Sequence, residues 1–171
     1  RSIWMQPDGV CKTYDKRHLV RMGDEHTFFS GGSNRLVAEW RGWKICPLVC
    51  YDLRFPVWSR NQFNKQTQSL DYDLLVYVAN WPAIRSQHWQ TLLKARAIEN
   101  QCYVVGVNRI GVDGNGHEYQ GDSAAIDPMG QHLVEISPKE VLTTVKLSAS
   151  SLKNTRTSLN FLADRDIFEL R

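Results

Sequence analysis

A strand, a helix and a second strand lie close together in the middle of this chain and constrain its fold. Leu74–Ala79 is a continuous apolar run, which is the pattern of a strand covered on both faces. Apolar residues then recur at helical spacing through Ser86–Asn100, where Ser86 is a candidate N-cap. Tyr103–Val107 predicts a second buried strand. This order predicts an α/β layered fold with helices covering the outer face of the sheet.

Shorter patterns fill the rest of the predicted domain. Further strands are predicted at Ile3–Met5, Val10–Tyr14, Leu36–Trp40, Trp43–Val49, Glu118–Ile126, His132–Ile136 and Leu142–Leu147. A short helix is predicted over Pro56–Phe63, because proline suits the first helical position. Asp15–Gly32 is polar and dense in charge, and a loop of that length inside a domain is usually functional. Residues 148–171 are mostly polar and are predicted as an extended C-terminal tail that packs on another surface, such as a partner subunit.

Composition narrows the classes of function. The 171 residues are 42% hydrophobic, which suits a single globular domain over residues 1–171. The net charge of +3 is small and dispersed, so nucleic acid is not an expected partner. No apolar run reaches the length of a membrane span, and the start lacks a signal-peptide pattern. The four cysteines and five histidines lack metal-ligand spacing, so we predict no metal and reduced thiols in the cytoplasm.

A cysteine at the end of a predicted strand is the first candidate for chemistry. The apolar stretch before Cys50 gives way to the polar turn Tyr51–Arg54, and Pro56 can then open a helix. A strand-to-helix turn can hold a nucleophile exposed beside backbone N–H groups that receive an oxyanion. A buried structural cysteine is the alternative, and it fits Cys46 and its apolar neighbours better than Cys50. The leading hypothesis is therefore a thiol-dependent acyl-transfer enzyme.

Candidate partners for this thiol lie in the long polar loop. Lys16 directly follows a predicted strand, and its ammonium group would lower the pKa of a nearby thiol and stabilise an oxyanion. Glu25 could orient Lys16 or relay a proton. Solvated loop residues are the alternative for both. Three histidines keep a cysteine–histidine dyad open as a rival arrangement, because spatial neighbours cannot be read from spacing; they are His18, His26 and His88.

Ten motifs, in order along the chain, match one known family. They are Tyr14–Leu19, Asp24–His26, Ser30–Gly32, Trp40–Lys44, Leu48–Pro56, Tyr77–Pro82, His88-Trp89, Ala95–Gln101, Gly121–Ser123 and Asp127–Gly130. With them the chain resembles the carbon–nitrogen hydrolase (nitrilase) superfamily, and within it the omega-amidase branch of bacterial amidohydrolases. The resemblance implies an α-β-β-α sandwich that dimerises, with no metal or organic cofactor.

The resemblance also implies roles for individual residues. Cys50 matches the nucleophile, Lys16 the catalytic lysine and Glu25 a second glutamate near that lysine. The backbone N–H of Tyr51 would form the oxyanion hole together with Lys16. The implied reaction passes through a thioester and releases ammonia from an omega-amide of a small dicarboxylic acid, such as 2-oxoglutaramate. A nitrilase or carbamoylase for another small substrate is an alternative, and so is an inactive assembly module.

The substrate contacts are less constrained. Arg54, Arg85 and Arg109 could each pair with the distal carboxylate of such a substrate, because guanidinium groups suit bidentate recognition. Trp81 is a further candidate for substrate binding.

One expected residue has no match. The general-base glutamate of the family lies upstream of every motif present, and neither Glu25 nor Glu39 matches it. We therefore expect the N-terminal third of the domain to be absent from this chain, which would leave apolar surface open.

Overall fold

The computed structural model describes residues 1–64, 69–134, 140–166 and 168. The strands are β1 (Ser2–Met5), β2 (Cys11–Tyr14), β3 (Ala38–Trp40), β4 (Trp43–Val49), β5 (Phe63–Asn64), β6 (Ser69–Leu70), β7 (Leu74–Ala79), β8 (Tyr103–Asn108), β9 (Ile110–Val112), β10 (Glu118–Gln120) and β11 (Ala124–Ile126). The α-helices are α1 (Glu25–Phe28), α2 (Pro56–Ser59), α3 (Ser86–Asn100) and α4 (Ala149–Ser158).

A five-stranded sheet forms the centre of the molecule. Its strand order is β11-β8-β7-β4-β3, in which β4, β7 and β8 are parallel and the two outer strands are antiparallel to their neighbours. The parallel strands need long connections, and α3 provides the one between β7 and β8. Three further pairs, β1–β2, β5–β6 and β9–β10, form separate two-stranded sheets. β7 and α3 begin and end at the residues predicted from the sequence, so those boundaries are confirmed.

Helix α3 covers one face of this sheet at close range. Trp89, Leu93 and Ala97 on the helix are fully buried. Gly106 of β8 faces two of them, and an added Cβ would lie only 2.6 Å from Leu93 Cδ1 and 2.8 Å from Trp89 Cζ2. A glycine is required at this point because the helix approaches the strand too closely for any side chain.

The opposite face of the sheet carries exposed valines. Side chains alternate between the two faces of a strand, so the neighbours of Gly106 point away from α3. Val78 and Val107 are register partners on β7 and β8, and they are 43% and 49% exposed. Two apolar side chains of the central strands are therefore open to solvent on this face.

Two strand predictions near the C-terminus are wrong. Glu118–Ile126 is not one strand, because the backbone turns at Gly121 and Asp122, which have φ angles of 79° and 54°. Leu142–Leu147 is not a strand, since within the described ranges no strand lies beside it and Leu142 is 98% exposed. In the predicted strand His132–Ile136, only an isolated bridge from His132 to Ile126 is present, and residues 135–136 lie outside the described ranges.

Two segments of the first half also differ from their predictions. The helix beginning at Pro56 ends at Ser59 rather than at Phe63, which starts β5. The loop Asp15–Gly32 contains two short helices, a 3-10 turn over Arg21–Gly23 and α1.

The C-terminal segment is helical rather than extended. Ser148 caps α4 by accepting a hydrogen bond from the backbone N–H of Ser151. Arg156 on this helix donates hydrogen bonds to Asp73 Oδ1 at 2.7 Å, to the Tyr72 carbonyl at 2.8 Å and to the Gln101 carbonyl at 2.9 Å. The prediction of an extended tail is therefore wrong, because α4 binds residues at the amino ends of the central strands β7 and β8.

The described helices include none that combines the length and the apolar character needed to cross a membrane.

Candidate active site

Cys50 lies on a sharp turn between a strand and a helix. It follows the last residue of β4 and begins a 3-10 helix over Cys50–Arg54. Its φ angle is +47°, in the left-handed region that non-glycine residues rarely adopt. Such a strained turn holds a nucleophilic side chain clear of the strand. Cys50 is half-buried whereas Cys46 is completely buried, as expected for a core cysteine.

The next two sequence candidates form an ion pair. Lys16 Nζ lies 2.9 Å from Glu25 Oε1 and 2.6 Å from Glu25 Oε2. The backbone N–H of Val20 also donates to Glu25 Oε2, at 2.9 Å. Burial raises the pKa of Glu25, but the hydrogen bonds from Lys16 and Val20 outweigh it, so the pKa is below its usual value. Glu25 is therefore held as the carboxylate partner of Lys16.

The pKa of the Cys50 thiol reflects opposing effects. Burial raises it most, the charge of Lys16 and the hydrogen bond with the backbone of Asn80 lower it, and the charges of Glu25 and Asp52 raise it. Sγ also contacts the Asn80 carbonyl oxygen at 3.8 Å. The net result is a pKa above the ordinary value, so the expected lowering by Lys16 is present but weaker than the effect of burial. This thiol must lose its proton as it attacks, which requires a nearby base.

A buried aspartate, which the sequence analysis did not single out, lies beneath this turn. Asp52 is fully buried and accepts hydrogen bonds from Tyr14 Oη at 2.7 Å and from the Val49 backbone N–H at 3.1 Å. Its other oxygen accepts from the backbone N–H of His18 at 3.0 Å and from His18 Nδ1 at 2.9 Å. In the sequence, Asp52 could have been found as a carboxylate two residues after Cys50, in a turn between two buried segments.

The ring of His18 is therefore committed to Asp52. It also stacks on Phe55, with ring centroids 3.6 Å apart. In the part of the chain that the structure describes, no hydrogen bond joins a histidine ring to Cys50 Sγ. The geometry accordingly favours the lysine–glutamate pair over the cysteine–histidine dyad.

Two glycines hold the backbone of the Lys16 segment. The N–H of Gly32 donates to the Lys16 carbonyl at 3.0 Å. A Cβ on Gly32 would overlap the carbonyl oxygen of Asp15, and a Cβ on Gly31 would overlap that of Arg17. The Ser30–Gly32 segment therefore packs backbone against backbone, which only glycine allows.

Three of the four predicted substrate-binding residues, Arg54, Trp81 and Arg85, lie together. The Arg54 guanidinium is 4.6 Å from the Trp81 ring centroid, and its Nη2 is 3.3 Å from His88 Nδ1. Trp81 is 3% exposed, and its indole N–H donates to the Arg85 carbonyl at 2.8 Å. The ring of Trp81 therefore braces this region, and Arg85 contacts it through its backbone.

The β9–β10 hairpin borders the same region. Arg109 lies over the ring of Tyr119, 4.7 Å from its centroid, and Tyr119 Oη donates to Asp113 Oδ2 at 2.8 Å. Burial and the bond to Asp113 raise the pKa of Tyr119, and the charge of Cys50 adds a smaller effect. The ring of Tyr119 therefore holds Arg109 on this hairpin, and the sequence analysis had not considered Tyr119.

The predicted N-cap of α3 has another role. Arg85, not Ser86, occupies the N-cap position, because a 3-10 turn over Ala83–Arg85 leads directly into the helix. Ser86 Oγ instead donates to Asp122 Oδ2 at 2.5 Å, and Trp89 Nε1 donates to the Asp122 carbonyl at 2.9 Å. These bonds fix the turn that separates β10 from β11.

Two cavities lie far from these residues. One of about 500 Å³ borders Trp43, Asp73 and Arg156. The other, of about 800 Å³, borders Asp73, Arg156, Lys44 and Gln101. These residues mark the amino ends of the parallel strands, whereas Cys50 lies at the carboxyl end of β4. Ligands of open α/β sheets bind at the carboxyl ends, so neither cavity is the candidate active site. Among the described residues, no group of three or more metal-ligating side chains could hold a metal ion.

Comparison with known sequences agrees with this geometry. The sequence pattern of the carbon–nitrogen hydrolase family matches residues 1–157. Omega-amidase YafV from Yersinia enterocolitica is 52% identical over 171 residues, which are 99% of this chain and 64% of that protein. The 2-oxoglutaramate amidase from Bacillus subtilis (strain 168) is 37% identical over 155 residues, which are 91% of this chain and 58% of that protein. The chain thus spans less than two thirds of the length of these curated relatives.

Solved structures agree as well. A CN-hydrolase superfamily protein from Xanthomonas campestris, with an arsenic adduct in its active site, is 51% identical and superposes with a TM-score of 0.96. That match covers 99% of this chain and 64% of the other. A carbon-nitrogen hydrolase from Helicobacter pylori G27 shares the fold at 21% identity and a TM-score of 0.80, over 95% of this chain and 61% of that one. The predicted α/β, nitrilase-like fold is confirmed.

Proposed function

Because this chain belongs to the carbon–nitrogen hydrolase family, we propose that it carries the nucleophile and the catalytic lysine of an omega-amidase. The observation that carries the proposal is the ion pair between Lys16 and Glu25, which lies within electrostatic reach of a cysteine on a left-handed turn. A cation beside a half-buried thiol is what acyl transfer requires, because negative charge develops on the substrate oxygen during attack.

The proposed reaction has two halves. Cys50 Sγ attacks the amide carbonyl carbon and loses its proton, the C–N bond breaks, and the protonated leaving group departs as ammonia. Water then attacks the resulting thioester, which releases the carboxylic acid and restores the thiol. Lys16 Nζ and the backbone N–H of Tyr51 would receive the oxyanion in both halves. Tyr51 lies in the first turn of its helix, where N–H groups have no intrahelical acceptor.

Glu25 has an orienting role in this proposal. Both of its oxygens contact Lys16 Nζ, and one also accepts from the Val20 N–H. These bonds fix the direction of the lysine side chain. Proton transfer then belongs to the further glutamate that the family resemblance implies.

The proposed substrate is a monoamide of a small dicarboxylic acid, similar to 2-oxoglutaramate. Relatives named omega-amidase and 2-oxoglutaramate amidase support this class. Arg54, whose guanidinium lies over the ring of Trp81, supplies positive charge for a distal carboxylate, and Arg85 is the second candidate for this contact. A nitrile or a carbamoyl compound is the alternative substrate, and a panel of the three compound classes distinguishes them.

The decisive experiment compares two cysteine variants. We expect Cys50→Ala to abolish ammonia release from 2-oxoglutaramate, while Cys46→Ala retains most of it, because Cys46 is a core residue. Ammonia would be measured with a coupled assay, and the thioester by intact mass after rapid quenching. Undiminished release by Cys50→Ala would overturn the proposal. A wild-type protein that releases no ammonia from any compound in the panel would favour an inactive assembly module.

We also propose a cytoplasmic homodimer whose residues 1–171 belong to a single domain. The family resemblance supports the dimer, whereas the C-terminal helix no longer does, because it packs on its own chain. All four cysteines are free thiols, which agrees with a reducing compartment. Sedimentation velocity would detect the dimer, and a monomer at micromolar concentration would contradict it.

A further inference from the structure

One fully buried carboxylate joins the two segments that carry the reactive side chains. Tyr14 and His18 donate to Asp52 from the first segment, and Lys16 lies between them in sequence. The Val49 N–H donates to Asp52 from the second, and Cys50 lies between Val49 and Asp52. Each reactive residue is thus bracketed by hydrogen bonds to the same carboxyl group.

The partners of Asp52 all donate. A tyrosine hydroxyl and two backbone N–H groups supply three of the four hydrogen bonds. The fourth comes from His18 Nδ1, which must carry the proton because a carboxylate only accepts. An amide in place of the carboxylate would direct its NH2 group at one of these donors, and a buried donor left unpaired is costly.

Aromatic side chains surround and stiffen this arrangement. Trp58 Nε1 donates to Tyr14 Oη at 2.9 Å, which fixes the hydroxyl that reaches Asp52. Phe55 stacks on His18 with an interplanar angle of 6°. The hydrogen-bonded groups therefore have little freedom to rearrange without disturbing packed rings.

We propose that Asp52 is a positioning residue that sets the distance between Lys16 and Cys50. It acts through Tyr14, His18 and Val49 and touches neither the thiol nor the substrate in this role. This inference rests on the pairing of Lys16 with Cys50 in the proposed function, but its test measures the reactivity of the Cys50 thiol and not the amidase activity.

The experiment measures how fast iodoacetamide alkylates Cys50 as a function of pH in Asp52→Asn. Peptide mass spectrometry resolves Cys50 from Cys11, which is exposed. Lys16 lowers the thiol pKa, and the charge of Asp52 raises it by a smaller effect, so Asp52→Asn removes the smaller effect and displaces the source of the larger one. The alkylation profile should therefore shift to higher pH. We expect a shift of about one pH unit, which means about tenfold slower alkylation at neutral pH. Tyr14→Phe, which removes one of four bonds, should shift the profile in the same direction by less.

The matched control is Asp73→Asn. Asp73 is a second aspartate with side-chain partners; it is partly buried and lies at the opposite end of the strands, where it pairs with Arg156. The Asp73→Asn substitution should lower thermal stability and leave the alkylation profile unchanged. If Asp52→Asn does not fold, Tyr14→Phe carries the test.

A double-mutant cycle with Lys16→Ala tests the route of the effect. If Asp52 acts through Lys16, adding Asp52→Asn to Lys16→Ala should cause no further shift to higher pH, and loss of the Asp52 charge should move the profile slightly to lower pH. Additive shifts would overturn the inference, and so would a folded Asp52→Asn or Tyr14→Phe protein with the wild-type profile. A wild-type protein without amidase activity whose thiol still responds to Asp52→Asn would refute the proposed function and support the inference.

Discussion

At the scale of single residues, the chemistry of this site depends on neighbours that take no part in it. Cys50 could be selected from its place at the end of a strand, whereas Lys16 and Glu25 were selected by the family resemblance, because spacing alone suits solvated loop residues equally. Their segments are joined by Asp52, whose four hydrogen bonds come from residues up to 38 positions away in sequence. No local pattern specifies such contacts, so the sequence indicated candidates for the chemistry but not the residue that links them.

The electrostatic effect of Lys16 gives a prediction at this scale. Burial raises the pKa of Cys50 above its ordinary value and the Lys16 charge lowers it, so removing that charge must raise it further. We expect alkylation of Lys16→Ala at neutral pH to be about tenfold slower than in wild type. In both proteins the rate should rise with pH through the alkaline range.

A second lysine provides the control for this measurement. Lys44 lies at the other end of β4, and its Nζ donates to the Leu70 carbonyl at 3.3 Å. Lys44→Ala should leave the alkylation of Cys50 unchanged. A Lys16→Ala protein whose Cys50 reacts as fast as in wild type would show that burial, and not the charge of Lys16, sets the pKa of this thiol.

At the scale of elements, prediction succeeded where one strong pattern spans the whole element. β7 and α3 begin and end where the sequence indicates, because an apolar run and a long helical periodicity leave little choice. Prediction failed for Glu118–Ile126, because Gly121 and Asp122 are residue types that favour a turn over a strand. The chain turns at Asp122, where the Ser86 hydroxyl and the Trp89 indole bind its side chain and carbonyl. Tertiary contacts from another element therefore hold a turn that the local residues already permit.

The contact between α3 and β8 gives a prediction for the stability of the sheet. Replacing Gly106 by valine would insert a side chain where even a Cβ lies 2.6 Å from Leu93 Cδ1. We expect the free energy of unfolding to fall by about 2 kcal/mol, because overpacking displaces the helix. Urea denaturation followed by circular dichroism measures this change.

A glycine in open space is the control for this substitution. At Gly114 an added Cβ meets nothing within 4 Å, and the residue lies in the turn between β9 and β10. Gly114→Ala should change the free energy of unfolding by no more than about 0.5 kcal/mol. A Gly106→Val protein as stable as wild type would mean that α3 does not pack against β8 as described.

At the scale of the whole molecule, the two ends of the parallel strands have separate tasks. The carboxyl ends carry Cys50 and its partners, while the amino ends bind α4 through Arg156 and border both cavities. The family resemblance gave the overall fold correctly, but the position of α4 could not be predicted. Its sequence is mostly polar, and its anchor is one arginine that reaches an aspartate 83 residues away.

The separation of the two ends predicts that stability and thiol reactivity change independently. Arg156→Ala removes three hydrogen bonds from a charged donor and leaves Asp73 without its cation. We expect the free energy of unfolding to fall by about 2 kcal/mol, because hydrogen bonds to charged groups contribute more than neutral ones. The alkylation rate of Cys50 should stay at its wild-type value, since Arg156 lies at the far end of the strands.

Combining this substitution with Asp52→Asn tests the separation directly. Sites that are far apart and share no partners have additive effects on stability, within about 0.5 kcal/mol. The free energy of unfolding of the double variant should therefore fall by the sum of the two single decreases. Its alkylation profile should be that of Asp52→Asn alone. Urea denaturation and alkylation of the same four proteins provide both quantities. Slower alkylation in Arg156→Ala would show that α4 communicates with the reactive end through the sheet, and the two ends would then form one cooperative unit.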